Sequence, residues 1–141
     1  MIRLGRKYTF TAAHRLYSPA LSDARNKEIY GKCANPYGHG HDYDVELTVE
    51  GDIDRVTGRV IDLRVLDAFV EAEVLIRYRY RSLNVEMASV PTTENLALEV
   101  QGRLKAAWAG AFGDAGPRLQ RIRIWETDRN ICEIVENEES R

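Results

Sequence analysis

Cysteine is scarce in this chain, with two in 141 residues, which excludes a disulfide-built scaffold. Charge of one sign is not in excess either: 20 Lys and Arg stand against 22 Asp and Glu, a formal net charge of −2. That balance argues against a nucleic-acid or membrane-surface protein. No apolar run approaches the roughly 18 residues that span a bilayer. The first residues enter directly into an alternating pattern and show no hydrophobic signal core. Repeats and low-complexity segments are absent. The expectation is a soluble, cytoplasmic α/β protein, a single domain over residues 1–141, with both cysteines as reduced thiols.

Histidine is nearly as sparse, with three, yet its placing carries the chemistry. His39 and His41 sit two apart within residues 33–51, CANPYGHGHDYDVELTVEG. From position 39 to 49 every odd residue is His, Tyr, Val or Leu, and every even one Gly, Asp, Glu or Thr. This period of two predicts a β-strand with one buried face. Alternate residues of a strand lie about 6.5–7 Å apart, a spacing at which two imidazoles can converge on one ion. An unsatisfied polar ring on an apolar face is costly, so a metal is the leading candidate to satisfy them.

The rest of the chain supplies the neighbours. Ile2, Leu4, Tyr8, Phe10, Ala12 and His14 share the even face of a first strand, with Arg6 as the exception. Residues 17–32 form a polar connection that could carry a short helical turn. Antiparallel pairing would set His14 beside His39 and His41. Asp62 reads as an N-cap for an amphipathic helix with Leu63, Leu66, Val70 and Val74, running to about position 76. Thr92 or Thr93 caps a second helix, carrying Leu96, Val100 and Leu104 and stopped by Gly110 and Gly113. Strands over 119–126 and 131–135 follow, joined by a turn. The order is strand, strand, helix, helix, strand, strand.

Three histidines on two neighbouring strands suit zinc with three protein ligands and an open fourth position, the catalytic arrangement. Zinc is preferred to iron because no nearby carboxylate completes a two-His-one-carboxylate set on that face; Asp42 and Asp44 point to the other. Cys33, six residues before His39, lies in a loop that could fold back over the metal. There a thiolate could serve as base; its alternative is a small buried residue. Cys132, within an alternating strand, reads as packing. Glu126 shares a face with Ile122 and Ile124, and its carboxylate could accept two bonds from an amino-pyrimidine edge. From the residues alone it reads more simply as a strand-end glutamate in solvent. Arg77, Arg79 and Arg81 interleave with Tyr78 and Tyr80, either as a solvated cationic patch or as forks for substrate phosphates.

Taken together, FTAAHRL at 10–16, YGKCANPYGHGHDYDVELTVEG at 30–51, GRVIDLRVL at 58–66, PTTENLA at 91–97 and WETDRN at 125–130 resemble the 6-pyruvoyl tetrahydropterin synthase family. The motifs occur in family order and cover most of the chain. The five residues between Cys33 and His39 are similar to the pyruvoyl-forming synthases; the related 6-carboxy-tetrahydropterin synthases of deazaguanine biosynthesis more often have a shorter gap. The resemblance implies an α+β tunnelling fold, a four-stranded antiparallel sheet with two helices on one face. It further implies a homo-hexamer made as a dimer of trimers, with active sites between subunits. By position His14, His39 and His41 would be zinc ligands, Cys33 the general base and Glu126 the pterin anchor, helped by Thr92, Thr93 and Glu94. The implied reaction starts from 7,8-dihydroneopterin triphosphate and eliminates triphosphate in tetrahydrobiopterin biosynthesis.

One departure stands out. Where the family has an Asp-His pair for proton transfer, this chain has Arg79 and Tyr80, and residues 74–90 contain neither Asp nor His. Tyr80 could substitute as proton donor, and Arg79 could lower its pKa or bind phosphate. Three readings follow: a pyruvoyl-synthase-like lyase with an altered relay, a 6-carboxy-tetrahydropterin synthase, and a non-catalytic protein that binds zinc and pterin.

Overall fold

A computed structural model describes residues 1–137. Its frame is a sheet in the order β1-β2-β3-β4, every neighbour antiparallel. Strand β1 is Ile2–His14, β2 His39–Gly51, β3 Arg118–Trp125 and β4 Ile131–Val135. The period of two read from the sequence is realised. Phe10, Ala12, Tyr43, Val45, Leu47, Ile122 and Ile124 form one buried face, and Phe10 stacks on Tyr43 with ring centroids 5.2 Å apart. The opposite face is polar and carries cross-strand pairs such as Lys7–Asp44, Arg121–Glu46 and Arg123–Glu133.

Helices cover the apolar face. Helix α2, Leu63–Val70, starts where Asp62 accepts a bond from the Arg64 N–H. It passes through a π turn, Glu71–Leu75, into a last turn α3, Ile76–Tyr78. The helical run thus ends two residues later than the periodicity predicts. The cause is Tyr78, whose fully buried ring packs near Phe10 and whose hydroxyl donates to Glu99 at 2.6 Å. Val74, Leu75 and Tyr78 are all buried, so the apolar stripe passes through the wider turn. Helix α4, Leu83–Glu86, is one turn. Helix α5, Thr93–Phe112, is capped by Thr92 and buries Leu96, Val100 and Leu104. It stops at Gly113, where φ is +75°, a left-handed conformation that suits glycine.

The polar connection holds a helix that periodicity does not reveal. Helix α1, Asp23–Tyr30, buries only Asn26, so it has no apolar stripe to read. Polar bonds hold it instead. Ser22 accepts from the Arg25 N–H, and the Asn26 amide donates to the carbonyls of Ser18, Leu21 and Ser22. A single 3-10 turn, Gly31–Ala34, then leads toward β2. Among the described residues no helix is long and apolar enough to cross a membrane.

Candidate metal and pterin site

The register of β1 on β2 builds the site. His14 pairs with His39 and Ala12 with His41, so all three imidazoles project from the end of the apolar face. Gly38 makes this approach possible. Its φ is +67°, and a Cβ there would lie 2.8 Å from the His14 carbonyl oxygen. His14 Nε2 lies 3.0 Å from His39 Nε2 and 3.1 Å from His41 Nε2. The rings are nearly perpendicular to one another, at 79°, 89° and 86°.

Such a cluster fits a metal better than it fits a hydrogen-bonded trio. His14 Nδ1 is 2.8 Å from the Pro91 carbonyl, an acceptor only, so the proton sits on Nδ1 and the Nε2 lone pair faces the other rings. That single lone pair cannot accept from both neighbours equally. Three nitrogens around a tetrahedral zinc at about 2.0–2.1 Å would stand roughly 3.3 Å apart, close to the spacings found. Among the described residues these three form the one group of ligating side chains close enough to share an ion, with ligand atoms within 4.8 Å of one another. Burial lowers the pKa of His14, opposed by the Pro91 carbonyl and the Glu126 charge, and burial likewise lowers that of His41. Both shifts favour the neutral imidazole that ligates metal.

Glu126 adds the second half of the site. It stands just past β3, with its N–H bonded to the Asn130 carbonyl across the turn. Its side chain is mostly buried, with Oε1 3.8 Å from His41 Nε2 and Oε2 accepting from the Thr93 hydroxyl at 2.7 Å. The solvent-facing reading of this glutamate is therefore wrong. So is the premise that no carboxylate lies near the histidines, because β3 brings one in from a distant part of the chain. Thr93 is buried at the start of α5, whereas Glu94 is exposed and lies close enough to Cys132 to help raise its pKa, after burial. Thr92 serves as the cap of α5. Two groups that sequence reasoning misses are the Pro91 carbonyl and the Tyr43 hydroxyl, 3.3 Å from His14 Nδ1. A backbone carbonyl leaves no residue-type signal, and Tyr43 reads only as the next apolar residue of the strand.

The family whose description is 6-pyruvoyl tetrahydropterin synthase matches residues 3–137. This chain belongs to that family. A 6-pyruvoyl tetrahydrobiopterin synthase of Poecilia reticulata is 44% identical over 89% of the chain and 84% of its own length. The one of Homo sapiens is 36% identical over 92% of the chain and 88% of its length. The solved structure of Caenorhabditis elegans 6-pyruvoyl tetrahydropterin synthase superposes with a TM-score of 0.85 at 34% identity, covering 96% of each chain. The expected α+β fold of this family, a four-stranded antiparallel sheet backed by helices, is what the chain adopts.

The remaining residues of interest lie around this centre. Cys33 is half-buried in the 3-10 turn, its carbonyl accepting from the Leu16 N–H at 2.8 Å, and its thiol is not one of the clustered ligands. The segment after α3 runs along the free edge of β1: the Tyr80 N–H donates to the Thr11 carbonyl and the Ala13 N–H to the Arg81 carbonyl. Tyr80 has φ +58°, the one described non-glycine residue with positive φ, and its side chain is 83% exposed. Of the two readings of these arginines, the open guanidinium forks are not found, because carboxylates occupy them. Arg79 makes a two-pronged bond to Glu71 at 2.8 and 2.7 Å, and Arg77 and Arg81 both pair with Glu86.

Proposed function

We propose that this protein is a zinc-dependent lyase of the 6-pyruvoyl tetrahydropterin synthase type, acting on 7,8-dihydroneopterin triphosphate in tetrahydrobiopterin biosynthesis. The observation that carries this reading is the convergence of three imidazole nitrogens on one point, with the buried Glu126 carboxylate beside it. His14, His39 and His41 would hold zinc, which when bound supplies a Lewis acid for the substrate's side-chain oxygens. Glu126 accepts the N–H and NH₂ of the pterin ring, and the Thr93 hydroxyl fixes the orientation of its second oxygen. Thr92 and Glu94 frame the same end of α5.

Cys33 acts as general base for a carbon-bound proton of the substrate side chain. Loss of triphosphate and internal proton shifts then convert the hydroxylated side chain to a dicarbonyl while the ring is reduced, with no external oxidant. Tyr80 takes the place of the missing histidine as proton donor, and its neighbour Arg79 is held by Glu71. The left-handed backbone at Tyr80 supports a role beyond packing, since such conformations persist where the surroundings enforce them.

Assembly as a homo-hexamer of two trimers is part of the same reading. It is supported by the outer edge of β4, by the outer edge of β1 before Thr11, where the segment after α3 begins to cover it, and by a sheet face with no helix over it. A 6-carboxy-tetrahydropterin synthase is the second reading, disfavoured by the five-residue gap between Cys33 and His39. A non-catalytic zinc- and pterin-binding role is the third, favoured by the loss of the Asp-His pair. The deciding experiment incubates zinc-loaded protein with 7,8-dihydroneopterin triphosphate and follows triphosphate and pterin products. Release with a pyruvoyl product is expected; a 6-carboxy product, or tight binding without release, would overturn the assignment.

A further inference from the structure

Nearly every cation on this protein is neutralised. Among the described residues only Arg15, Lys27, Lys32, Arg55 and Arg129 lack an ion pair. Three of these five line a single cavity of about 770 Å³: Arg15, Lys27 and Lys32. Its one acid is Asp23, which is engaged by the Tyr17 hydroxyl. The cavity therefore presents three cations against one carboxylate, a net positive charge, in a space of the size that takes small-molecule ligands.

Its walls are fixed. Arg15 is held by a bond from its Nε to the Ala34 carbonyl at 2.9 Å, and its guanidinium lies 4.1 Å from the Tyr17 ring centroid. Asn26, fully buried, ties α1 to the chain before it through both ends of its amide. The chain also ties this cavity to the reaction centre. Arg15 directly follows His14, and Lys32 and Ala34 flank Cys33. By contrast, the arginines at 77, 79 and 81 have carboxylates in their forks.

We propose that this cavity is the polyphosphate subsite: Arg15, Lys27 and Lys32 hold the triphosphate chain of the substrate and the triphosphate that leaves. This rests on the reading of the substrate as a triphosphate ester. Cations placed on the leaving chain stabilise charge that accumulates as the carbon–oxygen bond breaks.

The test measures binding of inorganic triphosphate to the whole protein by calorimetry. In a Lys27→Ala/Lys32→Ala double variant, both lysines being exposed, affinity is expected to fall roughly tenfold or more. Affinity for unphosphorylated 7,8-dihydroneopterin should stay unchanged. A Lys105→Ala control, altering a cation already paired with Glu136, should bind triphosphate like wild type. Equal triphosphate affinity in the double variant and wild type would overturn the proposal, as would equal losses of triphosphate and dihydroneopterin. Wild type that binds triphosphate through these lysines yet turns nothing over would sink the functional reading and leave the subsite standing.

Discussion

Two regions flank the same end of β1, and they are built by opposite rules. On the buried side, His14, His39, His41 and Glu126 converge inside the fold, each oriented by a backbone carbonyl, a hydroxyl or a strand register. On the outer side, the segment through Arg79 and Tyr80 is more exposed, pinned by backbone bonds to β1, and neutralised by carboxylates from α4 and the π turn. In the buried corner the polar groups of His14, Thr93 and Glu126 have dedicated partners. The outer segment carries Arg79 and Tyr80, and no Asp or His lies between positions 74 and 90. The clustered side chains are thus placed by the sheet, while the proposed proton donor, Tyr80, stands on an exposed strap at its edge.

The sharpest way to break this contrast is His39→Ala. Zinc measured by atomic absorption should fall from about one per chain to near none, because two imidazoles make a poor site; undiminished zinc would remove the three-histidine centre. Cys33→Ala comes next, with zinc content retained and turnover expected to drop roughly 10²–10⁴-fold, the usual worth of a positioned base. Turnover near wild type would take the thiol out of the mechanism. Glu126→Gln removes one charge from the ring anchor and should weaken pterin binding about 10–100-fold by fluorescence titration.

Tyr80 tests the other region. Tyr80→Gly should raise stability to urea by up to about 1 kcal/mol, since glycine adopts φ +58° without penalty, while turnover falls. Tyr80→Phe should lower turnover without the gain in stability; full activity in both variants would make the strap a bystander. The smallest effect belongs to an ion pair remote from both regions. Arg6 and the Tyr8 hydroxyl bond to Asp67, and the Arg6 bond above all holds its carboxyl below the usual range. A depressed folded-state pKa adds stability at pH values above the ordinary aspartate pKa of about 3.9, and that stability disappears as pH falls below it. The stability gap between wild type and Asp67→Asn should therefore narrow on going from about pH 6 to about pH 3. A gap that widened would contradict the assignment.

Legibility differed by element for physical reasons. Both histidine strands and α5 were readable because each buries one face and so writes a period into the residues. The α1 helix wrote none, being held by Asn26 and Ser22 through polar bonds. Glu126 was misread from residues alone because the partners that bury it, Thr93 and His41, lie 33 and 85 positions away. The arginines at 77, 79 and 81 read as a solvated patch or as phosphate forks because the π turn and α4, which set Glu71 and Glu86 against them, leave no local sign of that pairing.

Alternation and spacing, being local properties of the chain, determined by themselves the strands, the helix caps and the candidate ligands. Only the tertiary structure decided which lone pairs meet, which charges remain unopposed and which carboxylate enters the site. Those outcomes depend on strand register and on contacts between residues far apart in sequence, and no local pattern encodes them.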